Sequence, residues 1–139
     1  MYPSGLSVFY AIAISFIASQ GLKILLFMRK GKFHIEDLAV TGGMPSSHSA
    51  VVTSLALSIF LTEGPTALFF TTLVLATIVI RDALGVRRTA GEEGQLLNEV
   101  IKKAKLKLPP VHYSLGHKPK EVAVGIVIGL VSALVILFI

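Results

Sequence analysis

Gly42-Gly43-Met44-Pro45-Ser46-Ser47-His48-Ser49-Ala50 is a polar, turn-forming stretch that runs without interruption into the apolar segment Val51 to Leu61. Proline and serine just ahead of an apolar run mark a helix start, where several backbone N–H groups have no partner within the helix and a serine hydroxyl can cap one of them. The amides that stay open, together with the positive end of the helix dipole, suit an anion such as phosphate. His48, about one turn inside, is placed to hold or transfer a proton there. A capped membrane helix with a chance histidine accounts for the same residues, so the rest of the chain has to decide.

With 139 residues there is room for one domain, and 53% hydrophobic content with a mean hydropathy of +0.77 is too apolar for an ordinary soluble fold. The expected fold is all-α: a single polytopic membrane helix bundle over 1–139, with about four transmembrane helices and one amphipathic helix. The absence of cysteine excludes disulfides, Cys-ligated zinc, iron–sulfur clusters and thiol nucleophiles. The net charge of +5 comes from 13 basic and 8 acidic residues, nearly all between the apolar runs. That distribution reads as membrane topology and attraction to anionic lipid or phosphate, with no nucleic-acid partner. Aromatic residues are not interleaved with the basic ones, as a single-strand binder would need.

Leu6 to Phe27 is the first expected span. The start of the chain has no positive region and the basic residues follow the apolar run, so the reading is a retained helix with its N-terminus outside. Lys23 sits in the last turn of that span, where an ionisable group is either functional or snorkels to the headgroups. Lys30 lies seven residues on and would share its face if the helix continued. Ser47 to Leu61 and Pro65 to Ile80 form a helical hairpin about the turn Thr62-Glu63-Gly64-Pro65. Arg81-Asp82-Ala83-Leu84-Gly85-Val86-Arg87-Arg88 then ends the third span, with Arg81 and Arg88 nearly eclipsed on one helix and Asp82 able to hold a guanidinium by a two-point contact. Arg87 and Arg88 have an easy explanation at a helix C-terminus, whereas Arg81 directly follows an apolar run and is favoured for function.

Thr89 to Leu108 has early glutamates, late lysines and apolar residues at helical spacing, the pattern of an amphipathic helix on the membrane surface. Pro109-Pro110 stops it, and a polar segment leads into the last span, Val122 to Ile139. If that helix begins near His117, Glu121 lies one turn on and its carboxylate sits beside the imidazole, able to fix the tautomer. Gly125 and Gly129 form a small-x-x-x-small pattern that admits a close helix, within the bundle or in a homodimer.

Four crossings from an outside N-terminus put all 13 Lys and Arg on one side or at the span ends that meet it, which the positive-inside rule assigns to the cytoplasm. Lys23, Ser46, Ser47, His48, Arg81, Arg88, His117 and Glu121 then form one polar layer at a single membrane depth. Snorkelling explains the cations in that layer. It does not explain two histidines, each at the start of an apolar helix, beside them.

At this point three strings carry a resemblance: Gly-Gly-Met-Pro-Ser-Ser-His-Ser at 42–49, Arg-Asp-Ala-Leu-Gly-Val-Arg-Arg at 81–88 and Leu-Gly-His-Lys-Pro-Lys-Glu-Val at 115–122. They resemble the divergent branch of the type 2 phosphatidic acid phosphatase superfamily, described as acid phosphatase/vanadium-dependent haloperoxidase-related. The resemblance implies that His48 is the general acid, His117 the nucleophile for a phosphohistidine intermediate, and Glu121 its orienting carboxylate. It places Lys23 with the phosphate, alongside Ser46 and Ser47 at the helix start, and requires neither metal nor other cofactor.

The departures are Ser47 for glycine, Lys30-Gly31 for Arg-Pro, Glu121 for aspartate, and Val111 where an arginine six residues before His117 is expected. Negative charge gathers on the equatorial oxygens in phosphoryl transfer, so a cation has to replace that arginine: Arg81, or Arg87 and Arg88. The function expected is an integral membrane phosphatase acting on a membrane lipid phosphate or diphosphate from the cytoplasmic face of the bilayer. The alternatives are a non-catalytic phosphate or phospholipid binding or transport protein, and a metal-dependent hydrolase using His117, Glu121 and either His48 or His112.

Overall fold

Serine and the smallest apolar residues occupy the interior of this molecule, and its large apolar side chains point outward. A computed structural model describes residues 5–29 and 43–138. It contains five helices: α1 (Gly5–Arg29), α2 (Ser47–Glu63), α3 (Ala67–Leu84), α4 (Val86–Lys103) and α5 (Pro119–Phe138), and no strand among the described residues. Ser15, Ser19, Ser49, Ser54, Ser58 and Ser132 are buried with Ala11, Ala50, Ala56 and Ala133, while Phe9, Ile17, Val74 and Ile78 are more than half exposed. Between helices in lipid there is little hydrophobic drive to association, so small residues that let backbones approach closely do the packing and large residues face the acyl chains. Three stretches are long and apolar enough to cross a membrane: α1, the α3–α4 stretch Ala67–Lys103, and α5. With 17 residues, α2 is at the short end for one crossing and lies at the centre of the bundle, against α1, α3 and α5.

Each junction has a local cause. Ser46 caps α2, accepting from the Ser49 N–H at 3.3 Å, and Thr66 caps α3, accepting from the Phe69 N–H at 3.4 Å. The second and third helices are therefore the hairpin that the sequence suggests, with Gly64 at φ 73 closing the first of them. At Gly85 the backbone departs from helical geometry (φ −109, ψ −91), so α3 stops and α4 begins at Val86 rather than Thr89. Arg81 and Arg88 consequently belong to different helices and share no face. The fourth helix also ends earlier than expected, at Lys103, with Lys105 in the left-handed region at φ 52.

That early end lets the chain turn back along α4. Asn98 clamps the returning chain, donating to the Val111 carbonyl at 2.8 Å and accepting from the Val111 N–H at 2.7 Å. Further along, Tyr113 packs on Gly94, and Ser114 and Leu115 lie on Gly91, where an added methyl would stand 2.6 Å from the Ser114 carbonyl oxygen. Gly116 passes the Arg88 backbone, and the His117 N–H reaches the Ala83 carbonyl at 3.0 Å. The segment 111–117 is thus an extended strap lying antiparallel on α4. Gly125 and Gly129 of α5 abut the Ser46 and Ala50 carbonyl oxygens of α2, so the small-x-x-x-small pair is used inside the bundle.

Candidate functional site

The end of α1, the start of α2, the end of α3 and the start of α5 gather at one end of the bundle. Backbone hydrogen bonds join three of them: the Ser46 N–H donates to the Glu121 carbonyl at 3.0 Å, and the His117 N–H to that of Ala83 at 3.0 Å. His117 is held at both backbone and ring. It stands two residues before the first residue of α5, so it is not on the same helix face as Glu121. The contact forms another way. Glu121 occupies the third position of α5, and its Oε2 reaches back to accept from the Lys118 N–H at 3.1 Å while meeting His117 Nδ1 at 3.2 Å. A carboxylate facing Nδ1 favours the proton on that nitrogen and leaves the Nε2 lone pair free. His117 is only 4% exposed.

His48, His117, Arg87 and Asp82 line one crevice, floored by Val79 and Ala83. His48 is exposed, lies in the first turn of α2, and is within electrostatic reach of Arg87, His117, Lys23 and Asp82. Arg87 Nε sits 2.6 Å from Asp82 Oδ2, a single-nitrogen contact rather than a two-point one. The volume open to the centre of a water molecule is about 10 Å³, room for one water. A phosphate entering here has to move a side chain.

The other expected residues are placed variously. Lys23 is buried, with Nζ 6.0 Å from the Phe27 ring centroid, under Gly43, where an added methyl would stand 3.7 Å from its Cε. Ser46 is fully buried and its hydroxyl serves its own helix, accepting from the Ser49 N–H and, at 2.9 Å, the Ser49 hydroxyl. Ser47 is half-buried and does not line the crevice. Of the four leading amides of α2, those of Ser46 and Ser49 are used; among the described residues those of Ser47 and His48 have no partner and remain for a ligand or solvent. Arg81 is exposed and lines a separate open cleft with Gly85, Val86, Thr89, Ala90 and Glu93. Arg88 pairs with Glu92 at 2.9 Å on the exposed side of α4. Gly85 explains both placements: a continuous helix would have stacked Arg81 and Arg88, whereas the break turns Arg87 to the histidines. Lys30 lies outside the described residues. His112 lines another cleft, with Tyr113 and Ser114, and no group of three or more His, Asp or Glu converges on one point among the described residues.

Asp82 is the residue whose place the sequence left least defined. Its partner is five residues on, across the glycine, a pairing that helical spacing does not suggest.

A model of the Divergent PAP2 family matches residues 6–132. The chain belongs to the divergent PAP2 family. It is also 34% identical over 139 residues to the uncharacterized membrane protein YuiD of Bacillus subtilis (strain 168), with 88% of each chain covered. No solved structure gives a significant match. Membership of a divergent PAP2 family makes this a membrane protein related to phosphatases, and the match embraces all three motif strings and the Lys23 helix. For a divergent PAP2 protein the crevice gathers two histidines, a carboxylate behind one of them and an arginine beside both.

Proposed function

We propose that the protein is an integral membrane lipid-phosphate phosphatase that works through a phosphohistidine intermediate at the cytoplasmic face. The observation that carries this reading is the Glu121 carboxylate on His117 Nδ1, in a crevice that His117 shares with His48 and Arg87. The Nε2 lone pair of His117 attacks phosphorus as the bond to the lipid oxygen breaks, and His48 gives its proton to that oxygen. Neutral His48 then takes a proton from water as the water oxygen attacks phosphorus. The P–N bond breaks, and inorganic phosphate leaves with His117 restored. Arg87 takes the role of the family arginine that is missing at Val111, with Lys23 and the open amides of Ser47 and His48 adding positive potential. The substrate's acyl chains remain in the bilayer while its head enters between the helix ends.

Phosphate release by purified protein in detergent with EDTA, over a panel of lipid monophosphates and diphosphates, tests the reading. Release that disappears in His117→Ala supports it. Absence of release from every substrate, with phosphate still bound, supports an anion-binding protein without turnover instead.

A further inference from the structure

Arg87 is already engaged through Nε. Its Nε is 2.6 Å from the Asp82 carboxylate, both residues line the crevice with the two histidines, and the space left is that of one water. His117, the nucleophile of the proposed reaction, is 4% exposed beneath them. A carboxylate and a phosphate compete for the guanidinium edge that contains Nε, so a phosphate gains the two-point contact on that edge only when Asp82 gives it up. We infer that Asp82 is an internal stand-in for the substrate phosphate: it holds Arg87 until a phosphate displaces it, and thereby lowers the affinity of the site for every phosphate anion. This rests on the crevice being a phosphate site, and not on turnover.

The chemistry gives the device a use. A site facing a bilayer meets phosphodiester headgroups at far higher concentration than a phosphomonoester substrate, and its own product is inorganic phosphate. A tethered competitor weakens both kinds of anion by one common factor, because the bound carboxylate must be released whichever of them arrives. Ligands that bind weakly then fall below occupancy, and the product leaves. The side chains of Arg87 and Asp82 are 45% and 36% exposed, so the pair is cheap to open. A pair of that kind attenuates binding by about two- to fivefold.

The test compares two probes with one alkyl chain: a dodecyl phosphonate, dianionic at about pH 9, and its monomethyl ester, a monoanion. The P–C bond of both probes resists hydrolysis, and the absence of methanol release from the ester is checked alongside, so binding is read without turnover. Asp82→Asn is expected to bind both probes about two- to fivefold more tightly and by similar factors, and Asp82→Glu to bind them like the wild type. Weaker or unchanged binding in Asp82→Asn would overturn the inference, since Asp82 would then position Arg87 or do nothing to it. Tightening of the dianion alone would also overturn it, in favour of simple repulsion. Should Asp82→Asn fail to fold, wild-type protein with 15N-labelled arginine decides: saturation with the phosphonate has to shift the Arg87 Nε–H resonance, and a resonance that stays in place refutes displacement. Failure of lipid-phosphate hydrolysis, with these binding results intact, would remove the phosphatase reading and leave the competitor standing.

Discussion

Replacing Glu121 with glutamine keeps the shape of the side chain and removes its charge. In the structure one oxygen, Oε2, serves His117 Nδ1 at 3.2 Å and the Lys118 N–H at 3.1 Å. The amide keeps an acceptor for the backbone N–H. It offers no anion to the imidazole, and if its NH2 turns to Nδ1 it selects the tautomer with hydrogen on Nε2, the nitrogen that attacks in the proposed reaction. In the proposed reaction positive charge develops on His117 as the P–N bond forms, with Nδ1 3.2 Å from the carboxylate oxygen and the two side chains 5% and 16% exposed. At an effective dielectric of about 20 that interaction is worth about 4 kcal/mol, and partial solvent access reduces it to roughly 2–4 kcal/mol. The expected loss in kcat is therefore about 30- to 1,000-fold. Because the charge develops in the transition state, KM should stay within about threefold of the wild type. The assay is initial phosphate release from short-chain phosphatidic acid in mixed micelles with EDTA, with kcat and KM determined separately and thermal unfolding run beside them. A Glu121→Gln protein that is folded and within threefold of wild-type kcat, while His117→Ala is inactive, would refute the reasoning and reduce Glu121 to a helix cap.

Arg87→Ala should lower kcat/KM by about 10- to 150-fold, the worth of a hydrogen bond to a charged group, whereas Arg81→Ala, whose side chain faces a separate cleft, should change it less than about threefold; steady-state kinetics on the two variants compares them directly. Ser46→Ala should lower stability by about 0.5–2 kcal/mol through loss of the α2 cap and leave phosphonate affinity unchanged, as thermal unfolding and binding on one preparation would establish; weaker binding with an unaltered melting temperature would return Ser46 to the anion site. Gly125→Val meets the Ser46 carbonyl and, at 3.1 Å, Ser49 Cβ, and should cost about 1–3 kcal/mol of stability. Activity should fall with it, because the Ser46-to-Glu121 hydrogen bond crosses the same contact, and a fully stable, fully active Gly125→Val protein would contradict the packing described.

The apolar helices were legible because composition alone decides them: Leu6–Phe27 became Gly5–Arg29, and the Pro65–Ile80 run became Ala67–Leu84 once Thr66 took the cap. His48 and His117 could be named from their positions at helix starts, and they do face one crevice. Side-chain pairings across a break were not legible. Helical spacing predicts that Arg81 and Arg88 stack, and it fails because a single glycine interrupts the helix between them. Nor does a sequence say whether a capping serine turns its hydroxyl outward to a ligand or inward to its own helix, since both uses place serine at the same position. Ser46 turns inward. Gly91, Gly94 and Asn98 carried a signal that went unused: two glycines and an amide on one side of an amphipathic helix mark the track of another piece of chain.

That track works as a ruler. From the clamp at Val111 to the bond between His117 and Ala83, the backbone is measured off against α4 and the end of α3. An extended chain advances about 3.3 Å per residue, comparable to the whole distance over which Glu121 holds the imidazole. Adding or deleting one residue between 111 and 117 would carry the histidine past its carboxylate, whereas the exposed turn at 104–110 lies outside the measured length and can absorb changes in size. Of the two halves of this connector, evolution and engineering are free to vary only the first.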